Sequence, residues 1–444
     1  MAAITRRDFV GKATAAATFS IVPGFVLGRR GKKPPSERLN IAAIGCGGRA
    51  QANLKGLATE NFVALCDPDE SRAAKAFEQI PKAKRFRDFR KMLDEMDKQI
   101  DAVVVSTPDH THAVAVMMAI RMGKHVYCEK PLARTIYEVR QIMKAARKHK
   151  VATQLGNQGH SSDDIRKCCE WIWDGAIGEV REVHAMFSGS YNTIALLDRI
   201  REVHEVPSTL DWDLWLGPVP FRPFHPFYIN GGWRRWTRFG TGGIGDFACH
   251  VLDPSFWALK LGAPVSVEAE TKNYDPVKHA ETWPPASIVR YEFPARGDMP
   301  PLKLTWHEGG LKPPRPEEMG PMDKMPDTGA IIVGSKGKMV HSSHGAGGVR
   351  IIPREKMKEY KQPPPSIPRV QGHYEDWVEA CKGRRPAGSN FDYGGPLTEV
   401  ALLGGIAMRR PGIKLLWNGK KMRFTNDAKA NEYLSYKYRR GWKL

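Results

Sequence analysis

The stretch LNIAAIGCGGRAQANLKGLA, residues 39–58, decides how the first half of this chain is read. An apolar run ends in Gly45-Cys46-Gly47-Gly48-Arg49-Ala50, and a helix-favouring run follows. The spacing is G-x-G-x-x-A. In a strand–turn–helix unit the first glycine makes a tight turn and the second lets backbone approach a pyrophosphate. The small third residue lets helix and strand pack closely. The turn Gly45, Cys46, Gly47, Gly48 and Arg49 is therefore predicted to cradle phosphates at a helix N-terminus. The next apolar run, NFVALCD, ends at Asp67, 22 residues after Gly45. An acid there accepts hydrogen bonds from the adenosine ribose and repels a 2′-phosphate, so NAD is expected before NADP. Arg72 is the nearby group that could accommodate a phosphate.

Strands and helices keep alternating: AVVVSTP (102–108), THAVAVMMAIRMG (111–123), HVYCEKP (125–131), TIYEVRQIMKAARKHK (135–150) and VATQLGNQ (151–158). Uniformly apolar strands at βαβ spacing predict a parallel sheet covered on both faces. Ligands of such sheets lie beyond the strand carboxyl ends. Cofactor contacts are accordingly expected at Thr107, Pro108, His110, His112, Glu129, Lys130 and Asn157, with Gln158 towards the substrate. A non-catalytic nucleotide sensor would carry the same domain.

Farther on, GTGGIGDFACHVLDPSFWALKLG (240–262) is a glycine-rich turn running into a helix expected to stop near Gly262. Asp246 is placed in or near its first turn, and His250 one turn later on the same face. The pair reads either as a dipole-complementing acid beside an ordinary histidine or as a proton-handling site. Gly240, Gly242 and Gly243 are expected to clear space for a ligand. Residues 192–240 are irregular and rich in Trp, Pro and Arg, which suits either a functional loop or one packed on the core. Tyr228, Trp233 and Arg234 are its substrate-contact candidates. Strand-like runs over 265–352 suggest a large open sheet.

Composition narrows the class. At 444 residues the chain exceeds one ordinary core. The net charge of +20 is concentrated at its ends: residues 1–39 hold eight Lys/Arg against two acids, and 409–444 eleven against two. With no zinc-finger spacing or RNA-stacking signature, specific nucleic-acid binding is not expected. The basic tail is expected to be solvated or to contact another subunit. No apolar run approaches the ~20 residues of a membrane span. The seven cysteines form no C-x-x-C pair and read as buried thiols. His110-x-His112, even with His250, lacks the remaining ligands of a metal site, so no metal is predicted. Arg6-Arg7, Phe9 and a short apolar stretch interrupted by Pro23 read as a twin-arginine export signal, which implies the periplasm or envelope of a bacterium. The expected plan is a signal and linker (1–38), a dinucleotide-binding domain (39–158), a substrate and oligomerisation domain (159–410) and a basic tail (411–444).

Together G-C-G-G-R-A, STPDHTHA, CEKPLA and GDFACH resemble the glucose–fructose oxidoreductase, inositol dehydrogenase and MocA family (Gfo/Idh/MocA) from about Leu39 to the C-terminus. SNFDYGGPLTE (389–399) and MRFTNDAKANEYL (422–434) resemble its exported branch. The resemblance implies a Rossmann domain followed by an α/β domain on a large open, mainly antiparallel sheet, often the contact of a dimer or tetramer. It implies nicotinamide-dependent hydride transfer at a secondary hydroxyl of a sugar, glycoside or polyol, with tightly bound NAD. It assigns catalysis to Lys130, Asp246 and His250. A branch of NAD-dependent glycosidases typically replaces E-K-P. The retained Glu129-Lys130-Pro131 favours an ordinary dehydrogenase over redox-assisted cleavage.

Overall fold

The computed structural model describes residues 37–444, so the twin-arginine stretch lies outside the described residues. The first domain is built from β1 (Asn40–Ile44), α1 (Ala50–Gly56), β2 (Asn61–Cys66), α2 (Glu70–Gln79), β3 (Lys84–Phe86), α3 (Phe89–Met96), β4 (Ala102–Val105), α4 (Asp109–Arg121), β5 (His125–Glu129), α5 (Ile136–His149) and β6 (Thr153–Gly156). Its six strands are parallel in the order β3-β2-β1-β4-β5-β6. β1 and β4 are wholly or almost wholly buried, which explains their unbroken Ala, Val and Ile composition. The order reverses between β1 and β4, and that crevice is where a ligand fits such a sheet.

The second domain begins with α6 (Asp163–Trp173), capped by Ser162, and β7 (Val180–Phe187). Short helices α7 (Trp212–Leu216), α8 (Gly242–Val251) and α9 (Asp253–Ala258) precede β8 (Ser266–Lys272), β9 (Ala286–Phe293), β10 (Leu302–Glu308), β11 (Thr328–Gly334), β12 (Gly337–Ser342) and β13 (Arg350–Ile352). Helices α10 (Arg354–Glu359), α11 (His373–Cys381) and α12 (Phe391–Met408) follow, then β14 (Leu415–Asn418), β15 (Arg423–Phe424) and α13 (Ala428–Asn431). The sheet has nine strands in the order β13-β12-β11-β7-β10-β9-β8-β14-β15. Only β7 and β10 pair in parallel. α12 is almost wholly buried and bridges the two domains. Gly394 and Gly395 meet Leu155 and Met143, while the Tyr291 hydroxyl donates to the Val400 carbonyl at 3.0 Å.

Three expectations change. The helix after Gly243 does not run to Gly262; it breaks at Leu252, and α9 starts with Pro254 in its first turn, where a missing N–H is harmless. Asp246 is the fifth residue of α8, so it does not serve as a first-turn acid. The basic tail keeps most of its Lys and Arg side chains exposed, as expected, but its backbone is not a free extension. β14 and β15 extend the sheet, and the last residues fold back over the first domain. There the Tyr438 hydroxyl donates to Glu138 at 2.6 Å and Arg90 stacks 4.3 Å from the Trp442 ring.

Gly45 has φ +83°, and a Cβ there would stand 2.8 Å from the backbone of Ser106. Gly45→Ala therefore meets both left-handed strain and a main-chain wall. Denaturant unfolding should show a loss of at least about 2 kcal/mol, with NAD binding abolished.

Candidate active site

A cavity of about 320 Å³ runs along the carboxyl edge of the parallel sheet, from Asp67 and Arg72 past the glycine turn to Lys130, Asp246 and His250. The amides of Gly47 and Gly48 donate to no acceptor among the described residues and border the cavity. The Arg72 side chain lies 3.1 Å from where a Cβ on Gly47 would stand. Asp67 accepts from the Cys46 amide (2.8 Å) and the Asp69 amide (3.0 Å), and burial pushes its carboxyl up to about 6. Thr107, Pro108 and Glu129 also line the cavity. Glu129 gathers Arg49 (3.3 Å), Asn53 (3.0 Å) and Gln158 (2.9 Å) on one oxygen, so Arg49 and Gln158 are held at the cavity wall. Free amides, an acid at the β2 end and glycine-lined access fit an NAD molecule.

The other end of the cavity is an ion-pair cluster. Lys130, just beyond β5, donates to the Asp246 carbonyl at 2.8 Å and to its carboxylate. The second carboxylate oxygen accepts from the Tyr191 hydroxyl at 2.8 Å and faces Arg234 Nε at 3.3 Å. Burial alone would raise the Asp246 pKa; Lys130 and Arg234 overcome it and hold the carboxyl well below its usual range. His250 stacks on His344, with ring centroids 4.0 Å apart. Its Nδ1 is sealed in without a partner, which leaves Nε2 as the nitrogen for the cavity. Burial, then the Lys130 charge and His344, push His250 well below the ordinary histidine value, so the ring is neutral. No hydrogen bond joins it to Asp246 among the described residues.

Several predicted contacts lie elsewhere. His110 turns into the core between Trp215 and Phe239, with Nε2 2.9 Å from the Trp215 carbonyl. His112 bridges the carbonyls of Pro131 (2.8 Å) and Thr107 (2.9 Å), fastening the two turns that border the cavity. Asn157 is buried between Asp253 (3.0 Å) and Ser389 (2.6 Å). The Cys46 thiol points back to the Ala43 and Cys66 carbonyls, its amide is taken by Asp67 and its carbonyl by Gln51, so Cys46 does not line the cavity. Tyr228 is 1% exposed in an aromatic cluster with Trp212, Trp236 and Phe239, whereas Trp233 and Arg234 do reach the cavity. Gly242 (φ +70°) makes room for the Trp283 ring; Gly240 lies against Arg234 and Gly243 against Phe187 and Glu308. These glycines admit protein, not ligand.

No motif points to Tyr191, His344 or Trp442. His344 sits at φ +58° in the glycine-rich turn after β12, the one feature that marked that loop. Trp442 reaches the cavity beside Phe89, with Arg439 donating to the Gly217 carbonyl at 2.5 Å. Among the described residues one group, Glu202, His204 and His225, has metal-ligand spacing. It is a poor metal centre. Glu202 is engaged by Arg199 at 3.1 Å, and His225 Nδ1 accepts from the Phe227 amide, which puts the proton of the neutral ring on Nε2, the atom facing the cluster.

Residues 39–157 match the NAD-binding Rossmann-fold model of the Gfo/Idh/MocA oxidoreductase family, and residues 194–292 match that family's C-terminal alpha/beta domain model. Two stretches of the chain thus match consecutive domains of the Gfo/Idh/MocA oxidoreductases. The first domain is an NAD-binding Rossmann domain. Inositol 2-dehydrogenase 2 of Saccharopolyspora erythraea is 30% identical over 165 residues, 36% of this chain and 48% of that protein. Levoglucosan dehydrogenase of Pseudarthrobacter phenanthrenivorans is 26% identical over 231 residues, 49% of this chain and 50% of the relative. The chain spans about half the length of these curated relatives. The fold is similar to that of the WlbA dehydrogenase of Bordetella pertussis in complex with NADH and UDP-GlcNAcA. That likeness has TM-score 0.61, 16% identity, and covers 86% of this chain and 99% of the other. It is also similar to the aldose-aldose oxidoreductase of Caulobacter crescentus complexed with glycerol (TM-score 0.55, 17% identity, 86% and 100% covered).

Trp442 lines the cavity beside Phe89, at the end that carries Asp67 and Arg72. Trp442→Ala removes an aromatic wall worth about 0.5–1.5 kcal/mol. NAD should bind roughly 3–10-fold more weakly and leave faster, as read by calorimetry and by the nucleotide retained after desalting.

Proposed function

We propose that this protein is an NAD-dependent oxidoreductase acting on a secondary hydroxyl or keto group of a sugar, glycoside or polyol. The observation that carries the reading is the convergence of the cofactor cavity on Lys130, Asp246 and His250. Bound NAD supplies the two-electron acceptor that takes hydride from the carbinol carbon. The chain supplies the rest. Neutral His250 takes the hydroxyl proton at Nε2. Lys130 Nζ, held by Asp246, hydrogen-bonds the reacting oxygen and stabilises its developing negative charge. Asp246 positions Lys130 beside that oxygen and is itself held from its other carboxylate oxygen by Tyr191 and Arg234. Gln158, Trp233 and Arg234 bound the substrate. His344 keeps water from one face of His250. The Asp67 carboxylate favours NAD, with Arg72 near the phosphates.

We place this chemistry outside the cytoplasm on the strength of the Arg6-Arg7 leader, in a homo-oligomer built on the nine-stranded sheet. A cofactor retained there is regenerated by a second carbonyl substrate in the same cavity.

The test is leaderless protein with its retained nucleotide, mixed with a panel of sugars, polyols and glycosides. Nicotinamide absorbance and products are followed together. Lasting reduction, reversed by a second carbonyl compound, is the expected result. Aglycone release without lasting reduction would instead mean transient oxidation, elimination and re-reduction. Binding with neither would mean a sensor. The pH profile is a further check. Because His250 acts neutral and its pKa is lowered, the acid limb of kcat/KM should fall below the ordinary histidine value of about 6.5. Activity disappears as pH drops through that limb. His344→Ala, which opens His250 to water, should move the limb upward.

A further inference from the structure

A second cleft, of about 510 Å³, opens on the far side of the Asp246–Arg234 pair. The turn from Ile229 to Arg234, together with Asp246, forms a wall common to this cleft and the cofactor cavity. The wall is thin because Asn230 (φ 55°) and Gly231 (φ 89°) are both left-handed, which folds the chain sharply back on itself. Tyr191 and Phe227 give the cleft aromatic faces. Asn230 is exposed, and its amide makes no hydrogen bond among the described residues, so its donors and acceptor are all available. Arg235 stacks 5.9 Å from the Tyr191 ring and spends one N–H on the Asn192 carbonyl at 3.2 Å.

Of the charged residues lining the cleft, Arg235 alone has no carboxylate partner among the described residues. Arg234 is paired with Asp246, which Lys130 also holds. What the cleft offers is an amide, guanidinium N–H groups and aromatic faces. That set suits a neutral ring bearing hydroxyls, whose C–H face packs on an aromatic side chain while its hydroxyls take the polar groups.

We propose that this cleft is a subsite for a second, neutral sugar ring, joined to the ring that lies beside Lys130 and His250. The substrate is then a glycoside or oligosaccharide, not a free polyol or monosaccharide. This rests on the function proposed above and narrows its substrate class.

The test is calorimetric titration of the NAD-loaded full chain with matched pairs: methyl α-glucoside against maltose, methyl β-glucoside against cellobiose, and methyl β-galactoside against lactose. Glucuronate and glucose 6-phosphate serve as anionic probes. Nicotinamide absorbance is read on every sample. At least one disaccharide should bind tenfold or more tightly than its methyl glycoside. Phe227→Ala should erase that gain while leaving methyl glycoside affinity within twofold, and Arg235→Met, which keeps the aliphatic stem, should reduce it independently. If the methyl glycosides bind and reduce the cofactor with no gain from the second ring, the subsite is wrong and the oxidoreductase reading stands. A glucuronate or phosphate preference over every disaccharide also overturns the subsite. Disaccharide gain without reduction by any sugar keeps the subsite and removes the oxidoreductase reading. If no sugar binds, both fall.

Discussion

The contact between Lys130 and Asp246 holds this molecule's chemistry together. Lys130 stands at the end of a Rossmann strand, and Asp246 lies on a helix of the second domain. Both side chains are almost fully withdrawn from water, at 13% and 11% exposure. A buried carboxylate left alone would cost several kcal/mol, so the helix is stable in this place only with its cationic partners. The pair thereby fixes where the second domain meets the nucleotide edge. It also sets the field around His250: a positive charge nearby and little water make protonation of that ring unfavourable. Burial is the larger cause of that neutral state, and the Lys130 charge adds to it.

The remaining structure supports that contact from both sides. Asp109, at the start of α4, accepts from the Thr241 amide (3.1 Å) and hydroxyl (2.7 Å) and so fastens the N-terminus of α8 to the first domain. His112 ties the Thr107 turn to the Pro131 turn, which carries Lys130. From the opposite end, α7 and the C-terminal residues border the cavity near Asp67. The Asp211 amide donates to the Pro68 carbonyl at 2.8 Å, and Trp442 packs on Phe89.

Much of this was readable in the sequence, for specific reasons. Apolar strands at βαβ spacing and the glycine turn at Gly45 are local patterns with one good structural solution, and they led to the parallel sheet and its cavity edge. Asp246 and His250 share a helical face through spacing alone. Periodicity locates a strand end but does not say which neighbouring side chain turns outward. His110 and His112 follow β4 as expected, yet α4 starts at Asp109 and rotates both rings into the interior. Asn157 likewise turns to Asp253. The aromatic loop made Tyr228 look like a sugar contact, but so many large rings close together form a small core of their own. Trp442 and His344 come to the cavity, and Tyr191 to Asp246, through long-range folding, which no local pattern records.

The central claim is that Lys130 and Asp246 act as one unit, and a double-mutant cycle addresses it directly. The rate of nicotinamide reduction in a single turnover would be compared in wild type, Lys130→Met, Asp246→Asn and the double variant, using the best substrate and saturating NAD. The account predicts a large loss in each single variant and a double variant no slower than the worse of the two. Losses that multiply in the double variant would contradict it, because the two residues would then contribute separately.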